Sequence, residues 1–161
     1  NGTTSQYLRK AGYDVTTVDY EQKLNPDVVA DVTNLPFADN TFDNVLCCEV
    51  LEHLPFVEFK KALAELARVS KKYLYITVPD HRRMPFKFSF KLPFLNEYVF
   101  APRLDLKTKH VFDDFHYWEI GKKDFPLSRL IKEIESLNLR IIEHKSPTEI
   151  AMVHYFFIEK K

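Results

Sequence analysis

Apolar positions along the chain switch repeatedly between helical and strand spacing, which predicts helices and strands in turn. In residues 3–11, Tyr7, Leu8 and Ala11 share one face of a short helix, and Gly12 stands where a left-handed C-terminal cap is wanted. Residues 13–19 are β-branched and end on an acid, the pattern of a strand. Asn25-Pro26 breaks the chain, residues 28–31 form a second short strand, and residues 35–40 carry turn chemistry. Residues 44–50 (NVLCCEV) are a near-continuous apolar run, which suits a parallel strand covered on both faces. Residues 57–69 predict a helix with Phe59, Ala62, Leu63, Leu66 and Ala67 inward and Glu58, Lys60, Lys61 and Glu65 outward. Residues 72–78 predict a strand stopped by Pro79, and residues 80–125 show no sustained period. The clearest helix is 126–137, where Leu127, Leu130, Ile131, Ile134 and Leu137 repeat behind a Pro126 that fits the first helical position. Strands at 140–144 and 151–159, joined through 145–150, form a closing hairpin.

This order predicts an α/β fold with an open, mostly parallel sheet and helices on both faces. One domain is expected over residues 1–161, with a large insertion at about 81–125. At 161 residues and 45% apolar, the chain can bury a core. Its 23 basic residues are balanced by 23 acidic ones, which argues against general nucleic-acid binding. No apolar run approaches the ~20 residues of a membrane-spanning helix, and the start shows no signal-peptide pattern. Cys47 and Cys48 are adjacent and the sole cysteines, so no disulfide framework is expected and a reducing cytoplasm is the expected home.

Five motifs add chemistry to this pattern. They are the strand ending Thr17-Val18-Asp19, then Val29-Ala30-Asp31-Val32, Leu35-Pro36-Phe37, Phe42-Asp43-Asn44-Val45 and Glu49-Val50-Leu51-Glu52-His53-Leu54. In this order and at these separations the series resembles the class I S-adenosylmethionine-dependent methyltransferases of small-molecule type, over roughly residues 1–80. The resemblance implies a Rossmann-like, seven-stranded sheet with an antiparallel last strand, and S-adenosyl-L-methionine as cofactor. It assigns Asp19 to the ribose hydroxyls, which a carboxylate can accept in bidentate fashion, with Tyr20 beside it. It assigns Asp31 to the adenine amino group, the Val32 N–H to a ring nitrogen, and Glu49 to the methionine end. Plainer roles stay open: Asp19 capping a turn before Glu21, Asp31 as a solvated loop carboxylate, and Glu49 as a helix-start acid. Leu35 and Phe37 wall the adenine, plug the core, or do both.

The family's first strand and glycine-rich loop would precede residue 1. Asn1-Gly2-Thr3 resembles the tail of that loop, and Gly2 is its one glycine carried over. The expectation is therefore a partial domain that lacks a central strand, exposes two sheet edges, and binds the cofactor poorly alone.

Residues 81–125 carry 11 of the chain's 23 aromatic residues. Arg82, Arg83, Lys87, Lys91, Arg103, Lys107 and Lys109 are interleaved with Phe86, Phe88, Phe90, Phe94 and Phe100. The segment follows a strand end, where ligands gather in open α/β sheets. Its expected use is a lid over an acidic or extended organic substrate, and the expected partner is a small-molecule or lipid- or sugar-type substrate. A membrane or lipid contact and a homodimer contact or packed cover stay open, with a single-stranded nucleic-acid platform the weakest. In His116-Tyr117-Trp118-Glu119-Ile120-Gly121, His116 and Glu119 are three apart and would share a face on one helical turn. They serve either as acid–base groups for the acceptor or as a helix start. His53 serves as a base near the transferred methyl or packs over the cofactor, and Asp80 is a further catalytic candidate. His110, Asp113 and Asp114 offer metal-ligand types, but their spacing matches no closed site, so a solvated acidic loop and no metal are expected.

The implied reaction is methyl transfer to an O or N atom of an organic acceptor, an in-line displacement to which the protein contributes mainly alignment. Two other classes are weighed. A methyltransferase-like binding or scaffold protein without activity fits the same motifs. A NAD-dependent oxidoreductase fits Asp19, but the LPF, FD-V and LEHL series and the lack of a well-placed Tyr–Lys pair oppose it.

Overall fold

The computed structural model describes residues 2–92, 94, 97–106, 108–112, 114–147 and 152–161. Helix α1 (Thr3–Lys10) starts at Gly2, whose φ of 68° is in the left-handed region that glycine enters without cost. It buries no residue. Strands β1 (Val18–Asp19) and β2 (Val28–Val29) pair in parallel, Val18 opposite Val28. The predicted strand at 13–19 shrinks to its last two residues, because β2 offers partners only to Val18 and Asp19.

The main sheet is built from β3 (Phe42–Cys48), β4 (Ser70–Pro79), β7 (Leu139–Lys145) and β8 (Val153–Lys160), in the order β3-β4-β8-β7. β3 runs parallel to β4, with Val45 opposite Leu74. The last strand, β8, is antiparallel to both neighbours, with Ile76 opposite Phe156 and Ile141 opposite Ile158. The predicted start of this strand at Ala151 and the connection through 148–150 lie outside the described residues.

Helices α2 (Phe56–Val69) and α3 (Leu127–Glu135) bury their apolar stripes, Phe59, Ala62, Leu63 and Leu66 in one and Leu130 and Ile134 in the other. They close over the inward positions Leu74, Ile76, Val78, Phe156, Ile158 and Leu139 in one continuous core. Each large apolar side chain so buried stabilises by about 1.5–3 kcal/mol. The run at 44–50 does not meet its expectation of cover on both faces: Cys47 is buried, but Leu46 is 49% exposed and Cys48 is exposed. α2 and α3 cover one face of the sheet, and α1 buries nothing.

The Leu35-Pro36-Phe37 segment is fastened to α2 by side chains. Glu65 accepts the Leu35 N–H at 2.9 Å, while Arg68 donates to the Leu35 and Phe37 carbonyls at 3.0 and 2.7 Å and pairs with Glu65 at 2.8 Å. Leu35 thereby plugs the core, and Phe37 packs edge-on against Phe42.

Between β4 and α3 the chain divides into two parts. β5 (Phe88–Phe90) and β6 (Tyr98–Phe100) form an exposed antiparallel hairpin that the lack of a sustained period did not predict. Residues 116–121 instead form a buried strap. Ile120 bridges Asp80 in parallel, the Tyr117 N–H donates to the Glu52 carbonyl at 2.8 Å, and the Trp118 indole N–H donates to the Leu54 carbonyl at 3.2 Å. Trp118 is fully buried against Phe56 and Phe59. The segment is extended rather than helical, because its backbone donors are taken by Glu52 and Pro79 instead of by its own carbonyls.

Candidate functional site

Asp19 and Asp31 leave the same end of the β1–β2 pair, since Asp19 stands opposite Val29. Asp19 is half-buried, and its Oδ1 accepts the Glu21 N–H at 2.9 Å. Asp31 is exposed, and its Oδ1 accepts the Thr33 N–H at 2.7 Å. The turn role thus engages one oxygen of each carboxylate. Tyr20 is exposed, and Val32 packs half-buried against the core. Gly2 takes the N-cap position of α1.

Glu49 follows β3 with a φ of 52°, left-handed backbone that costs a non-glycine residue about 1–3 kcal/mol. Its N–H is held by the Thr77 carbonyl at 3.1 Å, so the strained turn is fixed to the end of β4. Its side chain is exposed.

The next turn, Leu51–His53, carries the densest chemistry. Glu52 is completely buried, and neither of its carboxylate oxygens has a hydrogen-bond partner among the described residues. Burial pushes its carboxyl up to about 7. His53 places Nδ1 2.8 Å from the Phe115 carbonyl and Nε2 3.9 Å from Glu52 Oε1. Its ring meets that of His116 edge-on at 5.2 Å. His116 Nδ1 lies 3.0 Å from Glu119 Oε1, so the two residues meet although no helix joins them.

Glu119 is buried and is also approached by His81 Nε2 at 3.1 Å, Lys122 Nζ at 3.5 Å and His110 Nδ1 at 3.7 Å. Burial pushes its carboxyl up, but the His116 hydrogen bond and these basic neighbours outweigh it and hold it below its ordinary value. His110 is not in a solvated loop as expected. Its side chain is 7% exposed, and Nε2 donates to the His116 carbonyl at 2.8 Å, because the loop folds back beneath the strap. Asp114 is exposed; Asp113 and Lys107 lie outside the described residues.

Asp80, a catalytic candidate by sequence, is held in a closed network instead. Arg82 donates to it from backbone and guanidinium, the latter at 2.7 Å; Ser146 donates to Oδ2, and His154 lies at 3.5 Å. Burial raises its carboxyl, and the donors from His154, Arg82 and Ser146 outweigh this and hold it well below the usual carboxylate range. The network fixes the root of the insertion to β8.

Of the candidates by sequence, the fold brings His53, His116 and Glu119 together, and it gathers around them Glu52 and His81, which were not singled out as site residues, and His110, which was expected in a solvated loop. Glu52 had a signal, a carboxylate set between apolar Leu51 and Leu54. The open surface hollows by Asp105 and Lys122 and by Asp43 and Lys71 include none of the predicted site residues.

Sheet order, antiparallel last strand and acid-ended β1 define a Rossmann-like α/β fold. Comparisons with known proteins agree. The methyltransferase domain family matches residues 1–76. A demethylmenaquinone methyltransferase of Renibacterium salmoninarum is 40% identical over 80 residues, covering 44% of this chain and 33% of that protein. The chain thus spans about a third of the length of this curated relative. Among solved structures, the Burkholderia thailandensis 1,6-didemethyltoxoflavin-N1-methyltransferase with its substrate and S-adenosylhomocysteine superposes with a TM-score of 0.62 at 15% identity. That match covers 99% of this chain and 67% of the other. A glycopeptide N-methyltransferase complexed with S-adenosylhomocysteine gives 0.64 at 10% identity, over 99% and 79%. The resemblance read from the motifs therefore holds for the fold of the chain and for the sequence of its first 76 residues.

Proposed function

We propose that the protein transfers a methyl group from S-adenosyl-L-methionine to an oxygen or nitrogen of a small or extended organic acceptor. The observation that carries this reading is the match of residues 1–76 to a methyltransferase domain, in the region holding Asp19, Asp31 and Glu49 just past their strand ends. In this reading Asp19 binds the ribose, with Tyr20 beside it; Asp31 and the Val32 N–H bind the adenine; Gly2 and Glu49 border the methionine part. The three carboxylates are matched to donors on the cofactor, hydroxyls and amines, rather than to its sulfonium alone.

His53, His116 and Glu119 sit beside the end of β3 and form the acid–base set facing the acceptor. The insertion serves as the lid, with Phe88, Phe90, Tyr98 and Phe100 exposed on its hairpin. An apolar lid suits an extended acceptor, and the relative named for demethylmenaquinone supports that class.

The test is transfer of labelled methyl from S-adenosyl-L-methionine into a small-molecule extract by the full-length protein. Transfer that requires Asp19 is the expected result. S-adenosylhomocysteine binding without any transfer identifies a binding or scaffold protein, and preferential binding of NAD overturns the reading outright.

A further inference from the structure

We infer that Glu52, His53 and His116 form a binding site for a divalent first-row transition metal ion. The three side chains come from two separate segments, the turn after β3 and the strap, and their ligand atoms all lie within 4.8 Å of one another. Among the described residues this is the one group of three or more such side chains gathered so closely.

Two independent features point to a cation. The first is Glu52, whose carboxylate is fully buried with both oxygens lacking a hydrogen-bond partner among the described residues. A buried carboxylate that keeps its charge is otherwise paired or bound to metal. The basic groups nearby gather on Glu119 instead: His81, His110, His116 and Lys122 all approach it.

The second feature is how the two imidazoles are held. His53 Nδ1 faces the Phe115 carbonyl at 2.8 Å, and His116 Nδ1 faces the Glu119 carboxylate at 3.0 Å. Each oxygen can only accept, so each Nδ1 carries the proton and each Nε2 carries the lone pair. His53 Nε2 is the nitrogen that faces Glu52. An oxygen on the far nitrogen is the usual support of a metal-ligating histidine, fixing its tautomer and raising its basicity. Glu119 is then the positioning residue for His116, and the Phe115 carbonyl does the same for His53.

Two imidazoles and one carboxylate suit zinc, iron or a similar ion, and leave positions open for water or a substrate oxygen. The His53 and His116 side chains are 42% and 25% exposed, so those positions open toward solvent. Bonds of about 2.1 Å put tetrahedral ligands about 3.4 Å apart. Loading therefore closes the cluster by roughly 1 Å, a movement within reach of the exposed His53 ring. With an ion bound, the Nε2 lone pairs of His53 and His116 serve as ligands in place of an acid–base role; the site stands independently of methyl transfer, and its test reads binding rather than turnover.

The metal-free full-length protein is titrated with Zn²⁺ by calorimetry and with Co²⁺ by visible absorption. The expected result is one ion per chain, with Zn²⁺ displacing the Co²⁺ signal and raising Tm. Glu52→Gln and His53→Ala each weaken binding by about 100-fold or more, and Glu119→Gln by about 10- to 100-fold. His144→Ala, in the separate His144–His154 pair, leaves affinity unchanged. His53→Ala alters a ring that is 42% exposed, so it reports even where Glu52→Gln impairs folding. Absence of stoichiometric binding overturns the inference, as does wild-type affinity in His53→Ala or loss of binding in His144→Ala.

Discussion

Glu65 accepts the Leu35 N–H and pairs with Arg68 through both carboxylate oxygens, and that single residue couples a motif to a helix. The Arg68 hydrogen bonds, with help from Leu35 and against the effect of burial, hold its carboxyl down at about 2. The unfolded chain has the ordinary value near 4.3. A depressed folded value means that the contribution is complete above about pH 4.5 and is lost as pH falls toward 2. Glu65→Gln is expected to cost about 1–3 kcal/mol at pH 7, because it weakens the clamp on Arg68. The gap between variant and wild type in urea midpoint should narrow steadily from pH 4.5 to 2.5; a constant gap contradicts this account. At the ribose position, Asp19→Ala removes charge-assisted acceptors of about 1.5–3 kcal/mol, so affinity for S-adenosylhomocysteine should fall about 10- to 100-fold by calorimetry. The placement of Asp19 at its strand end was legible, because one residue carries it. The gathering of Glu52 and His81, and the burial of His110 that a solvated loop did not foresee, arise only when the turn after β3, the end of β4 and the strap come together.

Elements were legible to the extent that a regular period met a buried face. α2 and α3 fall within two residues of their predicted ends, since their apolar stripes face the sheet and nothing competes. The strand at 13–19 failed because pairing, not propensity, decides where a strand exists, and β2 pairs with two residues alone. The β5–β6 hairpin carried a signal that was passed over: Phe86, Phe88 and Phe90 alternate with Lys87 and Ser89 at a period of two. The strap has no period at all, yet it is the best-anchored part of the insertion. Trp118 fills the space over Phe56 and Phe59, so Trp118→Ala should cost about 3–5 kcal/mol, read as a lower urea midpoint with unchanged slope. Gly121 makes the turn that follows. Its φ is 94°, and a Cβ there would lie 2.5 Å from Arg82 Cγ and 2.8 Å from the Arg82 backbone nitrogen. Gly121→Ala should therefore destabilise by at least about 1–3 kcal/mol from backbone strain, with the clash added. Far-ultraviolet dichroism during thermal melting checks it, and a neutral result would mean the turn relaxes freely.

At the scale of the molecule, the insertion combines two opposite tasks. The strap is bound into the core through Trp118 and Ile120, both fully buried, whereas the hairpin turns Phe88, Phe90, Tyr98 and Phe100 to solvent. A packed structural cover would bury those rings; leaving several aromatic side chains exposed on one small hairpin is the mark of a surface that meets something. The two parts should separate under mutation. Replacing Phe88, Phe90 and Tyr98 together by serine removes no core contact, so the urea midpoint should stay within about 0.5 kcal/mol of wild type. S-adenosylhomocysteine affinity should also hold, because the proposed cofactor residues lie in the first 50 positions. If the hairpin closes over an extended apolar acceptor, KM for that acceptor should rise at least about tenfold, the equivalent of about 1.4 kcal/mol of lost contact. Kinetics, calorimetry and sedimentation on the same variant divide the alternatives. A change in sedimentation without a change in KM assigns the hairpin to a contact between copies. A loss of stability equal to that of Trp118→Ala would show that the hairpin belongs to the core after all.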